Sequence, residues 1–362
     1  MLSYVVKCLL KLKYLLLLIP FFLCIWCASV LKKPLPINIV QQNVFDVPVT
    51  KNSHSATLVE IMPNKIMAAW FGGSYEGAKD VGIYASFYDG KAWSIPHNLI
   101  KPLIVEKDTL PCWNPVLFKS KSELLYLFYK IGKNPREWYG AMVTSKDNGK
   151  NWSDAVLLPK GFLGPIKNKP IEIKPGVILC GSSTEDADTN QWRVHVEIYD
   201  ETTDKWEKIS VTNKSGFDII QPTFLEHSNG VIQMLCRSKH NKLITSWSKD
   251  GGKHWTDADS IYVVNSNSGI DALTISKNAF LLVNNPLKQG PDWFYGRNVL
   301  DVEFSVDGIH WEKIFDLENE EKGEFSYPAI IQTSDKKIHI LYTFNREYIK
   351  HAFFNIKTIS KK

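Results

Sequence analysis

Six times along the chain a few turn-forming residues give way to a short apolar run. Pro63-Asn64-Lys65 precedes IMAAWF, Ser120-Lys121-Ser122 precedes ELLYLF and Lys174-Pro175-Gly176 precedes VILCG. Ser228-Asn229-Gly230 precedes VIQMLC, Ser276-Lys277-Asn278 precedes AFLLV and Ser334-Asp335-Lys336 precedes KIHILY. Short apolar runs bounded in this way predict the strands of β-hairpins, and six of them predict six hairpins.

A second series interleaves with the first. Ser145-Lys-Asp147-Asn-Gly149-Lys-Asn-Trp152 and Ser248-Lys-Asp250-Gly-Gly252-Lys-His-Trp255 share one form, and Ser305-Val-Asp307-Gly308-Ile-His-Trp311 is one residue shorter. Tyr88-Asp89-Gly90-Lys-Ala-Trp93 and Tyr199-Asp200 with Trp206 are weaker echoes. The pattern is structural: Asp accepts backbone N–H bonds across a tight turn, Gly supplies positive φ, and Trp packs over the turn. The five tryptophans are spaced 59, 54, 49 and 56 residues apart, which points to a repeat architecture. Six hairpins against five turns predict an all-β, six-bladed β-propeller. The sixth repeat lacks its terminal turn, so its outer strand is expected from the N-terminal segment near 39–47, closing the ring.

Composition narrows the picture. The 362 residues are 44% hydrophobic and 12% aromatic, enough for a large core, and the unbroken repeat argues for one propeller over residues 36–362. Residues 1–35 differ: Lys7, Lys11 and Lys13 lead into an apolar run from Tyr14 to Leu31. That is an export signal or a membrane anchor, so the expected location is membrane-anchored with the propeller outside the cytoplasm, or secreted or periplasmic if the segment is cleaved. The net charge of +5 includes no basic cluster interleaved with aromatics, so a nucleic-acid partner is not expected. Cys112, Cys180 and Cys236 read as buried apolar thiols, and no metal-ligand spacing or cofactor motif is present.

A propeller sets its chemistry on loops at one end of the central channel. Asp80 follows the loop Gly72-Gly-Ser-Tyr-Glu-Gly77, Arg237 ends the fourth apolar run, Arg297 closes Phe294-Tyr-Gly-Arg297, and Tyr327 begins a strand in Phe325-Ser-Tyr-Pro328. Each occupies a comparable place in its own repeat. Lys167 and Lys169 lie in a Gly-Pro loop and add positive charge to a cleft or to a solvated surface; Trp113, Asn114, Glu185 and His195 are further polar candidates.

The turns, together with HSATLVE, IMAAWFGGSYEGAKDV, GPIKNKPIEI and FSYPAIIQ, resemble the sialidase (neuraminidase) superfamily, whose turn repeat is called the Asp box. The closest resemblance is to its bacterial BNR-repeat, predicted-neuraminidase branch, from about His54 to His351. The resemblance implies Asp80 as acid/base, Tyr327 as nucleophile, and Arg237 and Arg297 as two of three arginines that hold a substrate carboxylate. His54 stands where sialidases have the first arginine. Gln221 stands where they have the glutamate that activates the tyrosine. Asn114, Lys167 and Lys169 would join the substrate-binding set.

The function expected is therefore a sialidase-like exo-glycosidase acting on terminal anionic sugars, with a carboxylate-bearing glycan as partner. A lyase acting on uronate-containing glycans and a non-catalytic glycan-binding propeller are the alternatives. With Gln221 unable to accept a proton as a carboxylate does, His54 is the titratable substitute, which predicts activity rising with pH through the ordinary histidine range near ~6.5.

Overall fold

The computed structural model describes residues 33–292 and 294–357. It contains six four-stranded antiparallel sheets and one two-stranded hairpin, Leu103–Val105 with Asp108–Leu110. The innermost strands are Asn52–Met62, Cys112–Lys119, Ile171–Lys174, Ile219–Glu226, Asp271–Ser276 and Phe325–Gln332, in blades one to six. The apolar runs read from the sequence are the second strands, for example Lys65–Gly73 and Leu125–Ile131, and both are almost wholly buried. Strands covered on both faces need no alternation, which is why these runs stand out in the sequence.

The closing strand is Leu35–Asn43, which pairs antiparallel with Tyr348–Lys357 on the outside of blade six. It is the expected closing strand, overlapping 39–47 and beginning and ending four residues earlier. Asp46 and Pro48 end the extended stretch there, because proline cannot donate to a ladder. The apolar segment read as a signal or anchor falls, through residue 32, outside the described residues. Among the described residues no helix is long and apolar enough to cross a membrane.

The repeated turns join the third and fourth strands, on the outer side of their blades. Asp250 Oδ1 accepts the backbone N–H of Lys253 at 3.2 Å and of His254 at 2.9 Å, while Ser248 Oγ donates to it at 2.9 Å. Trp255 Nε1 donates to the Gly252 carbonyl at 2.8 Å, and the indole lies 5.9 Å from the Phe224 ring. Asp147 and Asp307 make the same bonds in blades two and five, and these hold both carboxyls down at about 2.

The described core falls into six apolar clusters, each lying between two neighbouring blades. Cys112, Cys180 and Cys236 are buried free thiols, and burial raises the pKa of each.

Candidate functional site

Four innermost strands carry a bulge at the same place, and the bulged residue is left-handed: Ser55 (φ 55), Asn114 (φ 37), Gln221 (φ 56) and Tyr327 (φ 52). A bulge sets two residues against one and re-aims the extra side chain. For a non-glycine residue this backbone costs about 1–2 kcal/mol, so four equivalent instances mark a place where side-chain direction matters more than local stability. In three of them proline follows directly, as Pro115, Pro222 and Pro328.

Two of these side chains meet across the channel. Gln221 Nε2 donates to Tyr327 Oη at 3.4 Å, and Arg237 Nη1 donates to Tyr327 Oη at 3.0 Å and to Gln221 Oε1 at 3.1 Å. Blades four and six, which are not neighbours, are thereby joined through side chains at the axis. Arg237 Nε reaches Asn267 Oδ1 at 3.3 Å, and Arg297 Nη2 lies 3.5 Å from the Asn267 carbonyl, so the loop leading from blade four into blade five sits between the two guanidinium groups.

Arg297 is 6% exposed and pairs with Glu324 at 3.0 Å. The same carboxylate accepts Arg346 Nε at 2.7 Å and Ser326 Oγ at 2.9 Å. Arg346 also pairs with Glu76 on the blade-one loop. Glu324 thus fixes two guanidinium groups side by side in a partly dry setting, where a charged pair holds its geometry.

His54 is 1% exposed, and its ring lies 4.2 Å from the Tyr327 ring. Neither ring nitrogen has a partner among the described residues. Burial, followed by the positive charges of Arg346, Arg297, Lys167 and Arg237, holds its pKa well below the ordinary value. The pH limb expected near the histidine range is therefore displaced to more acid values: His54 is already neutral at pH 6.5.

Lys167 and Lys169 lie in neither a solvated loop nor the cleft lip. Lys167 is buried beneath Tyr327, its Nζ 5.8 Å from the ring, donating to Asn168 Oδ1 and the Ile270 carbonyl at 2.9 Å each and to the Pro328 carbonyl. Burial lowers its pKa to about 7, although three acceptors around one ammonium favour the charged form. Lys169 pairs with buried Asp271 at 2.9 Å. Asp271 also takes Thr223 Oγ1 at 2.8 Å and the Ile330 N–H at 2.9 Å, which makes it the knot tying blades three to six below the pocket. Asn114 is buried and donates to the Ile166 carbonyl at 3.2 Å.

Asp80 is set apart. It is exposed, and its partners among the described residues lie on its own loop: the Ser74 N–H at 3.0 Å and Ser74 Oγ at 2.5 Å. The Ser74 bonds lower its pKa, keeping it ionised. Glu76 ties this loop to Arg346, so Asp80 stands at the rim of the same channel. His195 belongs elsewhere; it hydrogen-bonds buried Glu197 at 2.7 Å.

Residues 64–340 match the BNR repeat-like domain. The chain belongs to that family. Among solved structures, this BNR repeat-like protein superposes on a protein of unknown function from Dyadobacter fermentans with a TM-score of 0.66 at 16% identity, over 88% of this chain and 99% of that one. It superposes on the intramolecular trans-sialidase of Ruminococcus gnavus with a TM-score of 0.68 at 13% identity, over 88% and 98%. For the Trypanosoma rangeli sialidase the TM-score is 0.68 at 15% identity, over 88% and 59%. At these identities the likeness shows the six-bladed fold that sialidases share. No curated protein matches the chain in sequence.

Three residues of this cluster in the BNR repeat-like protein escape a reading by motif: Arg346, Glu324 and Asn267. Arg346 had a signal, because it follows the sixth apolar run much as Arg237 ends the fourth. It is the cation that acts most strongly on His54, which places a third guanidinium beside the residue where the first arginine was missing.

Proposed function

We propose that this protein is a sialidase-like exo-glycosidase that takes terminal carboxylate-bearing sugars into the central channel. The observation carrying this reading is the convergence of Arg237, Arg297 and Arg346 around Tyr327, on a floor held by Lys167. Guanidinium groups recognise carboxylates by paired N–H bonds; Glu324 balances Arg297 and Arg346, whereas Arg237 hydrogen-bonds to neutral oxygens among the described residues. The sugar carboxylate would lie on Arg237 and Arg297, with Arg346 held beside them by Glu324. Tyr327 is the nucleophile in this reading. Its hydroxyl already accepts two N–H donors, which stabilise negative charge on that oxygen as the proton leaves.

Gln221 orients the phenol but takes no proton. His54 lies against the Tyr327 ring and would take the proton once a bound carboxylate offsets the cations that hold its pKa down. Asp80, the acid/base that the resemblance implies, would have to leave Ser74 before it carried a proton. A uronate lyase is the second reading, because the same cations would acidify the proton α to a carboxylate and Tyr327 would abstract it.

Product analysis on sialylated and glucuronate-capped oligosaccharides tests both. The expected result is release of a saturated anionic monosaccharide, abolished in Tyr327→Phe by at least about 100-fold in kcat. An unsaturated, ultraviolet-absorbing product would replace the first reading by the second. Binding without any product would leave a glycan-binding module.

A further inference from the structure

Glu185 ends the second strand of blade three, directly across the ring from blade six and Tyr327. Alternation along a strand places its side chain on the face of Ser183, whose Oγ accepts the Gln221 N–H at 3.3 Å. Its cross-strand partner is Trp192, and the Trp192 ring lies 5.4 Å from the Arg237 guanidinium and 4.5 Å from Lys239 Nζ. The hairpin that follows brings up further charge: Asn190 accepts Arg136 Nη2 at 3.2 Å on its side chain and Lys239 Nζ at 2.6 Å on its carbonyl.

We propose that Glu185 is the proton-transferring carboxyl of this site, donating to the oxygen that leaves the sugar. The proposal rests on the glycosidase reading above and replaces Asp80 in the acid role. Tyr327 Oη bonds to the anomeric carbon and yields its proton to His54 as the bond from that carbon to the leaving oxygen breaks; the electron pair stays on the leaving oxygen, which takes the Glu185 proton. Water then displaces Tyr327 from the carbon, leaving its hydroxyl on the sugar and its other proton on Glu185, and the phenolate recovers its proton from His54.

A general acid must hold a proton near neutrality. Asp80 is kept ionised by three contacts with Ser74. Glu185 is shifted the other way. Burial raises its pKa against the pull of Arg237, Arg136 and Lys239 and of a hydrogen bond with Trp192. The other charged and titratable groups facing this corner offset one another: Asp218 accepts the Trp192 N–H at 2.8 Å and lies 3.5 Å from Arg193, and its own N–H donates to His240. Substrate strengthens the effect. A sugar carboxylate seated on Arg237 cancels the strongest cation acting on Glu185 and adds a negative charge nearby, so the loaded site holds Glu185 protonated to higher pH.

The test compares two leaving groups on the full chain and on Glu185→Gln, using sialyllactose and the 4-methylumbelliferyl ketoside of N-acetylneuraminic acid. An alkyl leaving group needs the proton and an acidic aryl one does not. Glu185→Gln should lose about 100-fold or more in kcat on sialyllactose and less than about 10-fold on the aryl ketoside. The wild-type rate on sialyllactose should fall as pH rises through the Glu185 pKa, and that limb should vanish in the variant. Equal losses on both substrates, confined to KM, would make Glu185 a binding residue and overturn the proposal. If the wild type cleaves both substrates and the variant keeps the wild-type ratio, Glu185 alone is wrong. If the wild type cleaves neither these substrates nor glucuronate-capped oligosaccharides, the glycosidase reading falls and this proposal with it.

Discussion

At the scale of single residues, the chain places strain and buried charge where they serve the channel, with one exception that serves it less directly. Ser55, Asn114, Gln221 and Tyr327 each accept a left-handed backbone, and two of them meet in the pocket. Asp301 and Glu303 lie far from it, on the third strand of blade five, at 2% and 7% exposure. Burial raises both carboxyls, and the charge of Glu303 pushes Asp301 up further, to about 8, while Asn284 Nδ2 donates to Glu303 at 2.8 Å. A carboxyl whose folded pKa lies above its unfolded value of ~3.9 contributes stability below that value, and the contribution is lost as pH rises through the folded pKa. Asp301→Asn should therefore leave stability at pH 4 unchanged and raise it at pH 8 by on the order of 1 kcal/mol. Thermal melts of both proteins across this range check the sign. A variant less stable at pH 8 than the wild type would mean that Asp301 is ionised and paired in the native state.

At the scale of elements, the outer turns staple one blade to the next. Gly252 sits at φ 86, and a Cβ there would lie 2.2 Å from Leu179 of blade three, so the turn after the third strand of blade four packs against its neighbour. Trp255 belongs to the apolar cluster between those two blades. Trp255→Ala should cost about 3–5 kcal/mol in urea unfolding, while ligand affinity of the folded fraction stays unchanged, because the turn lies on the outer side. A loss below about 1 kcal/mol would mean that the indole covers the turn without joining blades. These turns were legible in the sequence because Ser, Asp, Gly and Trp each have one job at a fixed offset. The second strands were legible because burial on both faces leaves an unbroken apolar run. The site was only partly legible. Bulges aim Tyr327 and Gln221 toward Arg237; their sole local trace is a residue before proline, and nothing local distinguishes a bulge from a strand start. Arg346 comes from a turn, Asn345-Arg346, that lacks the Ser-Asp-Gly signature. The Leu103–Val105 hairpin was missed because each of its strands is three residues long.

At the scale of the molecule, no blade covers its own faces: the described core consists of clusters shared between neighbours, and the ring closes through the Leu35–Asn43 strand. A closed ring lets residues from position 54 to position 346 meet at one axis without any of them being near in sequence. The rigidity of that arrangement is what holds three guanidinium groups together, and the central claim is that an anionic sugar is what they hold. Crystals soaked separately with N-acetylneuraminic acid, glucuronic acid and galactose test it most directly. The account predicts a carboxylated sugar in the channel with its carboxylate on Arg237 and Arg297 and its ring over Tyr327, and no occupancy by galactose. Galactose in the channel, or a carboxylate turned away from both arginines, would contradict it.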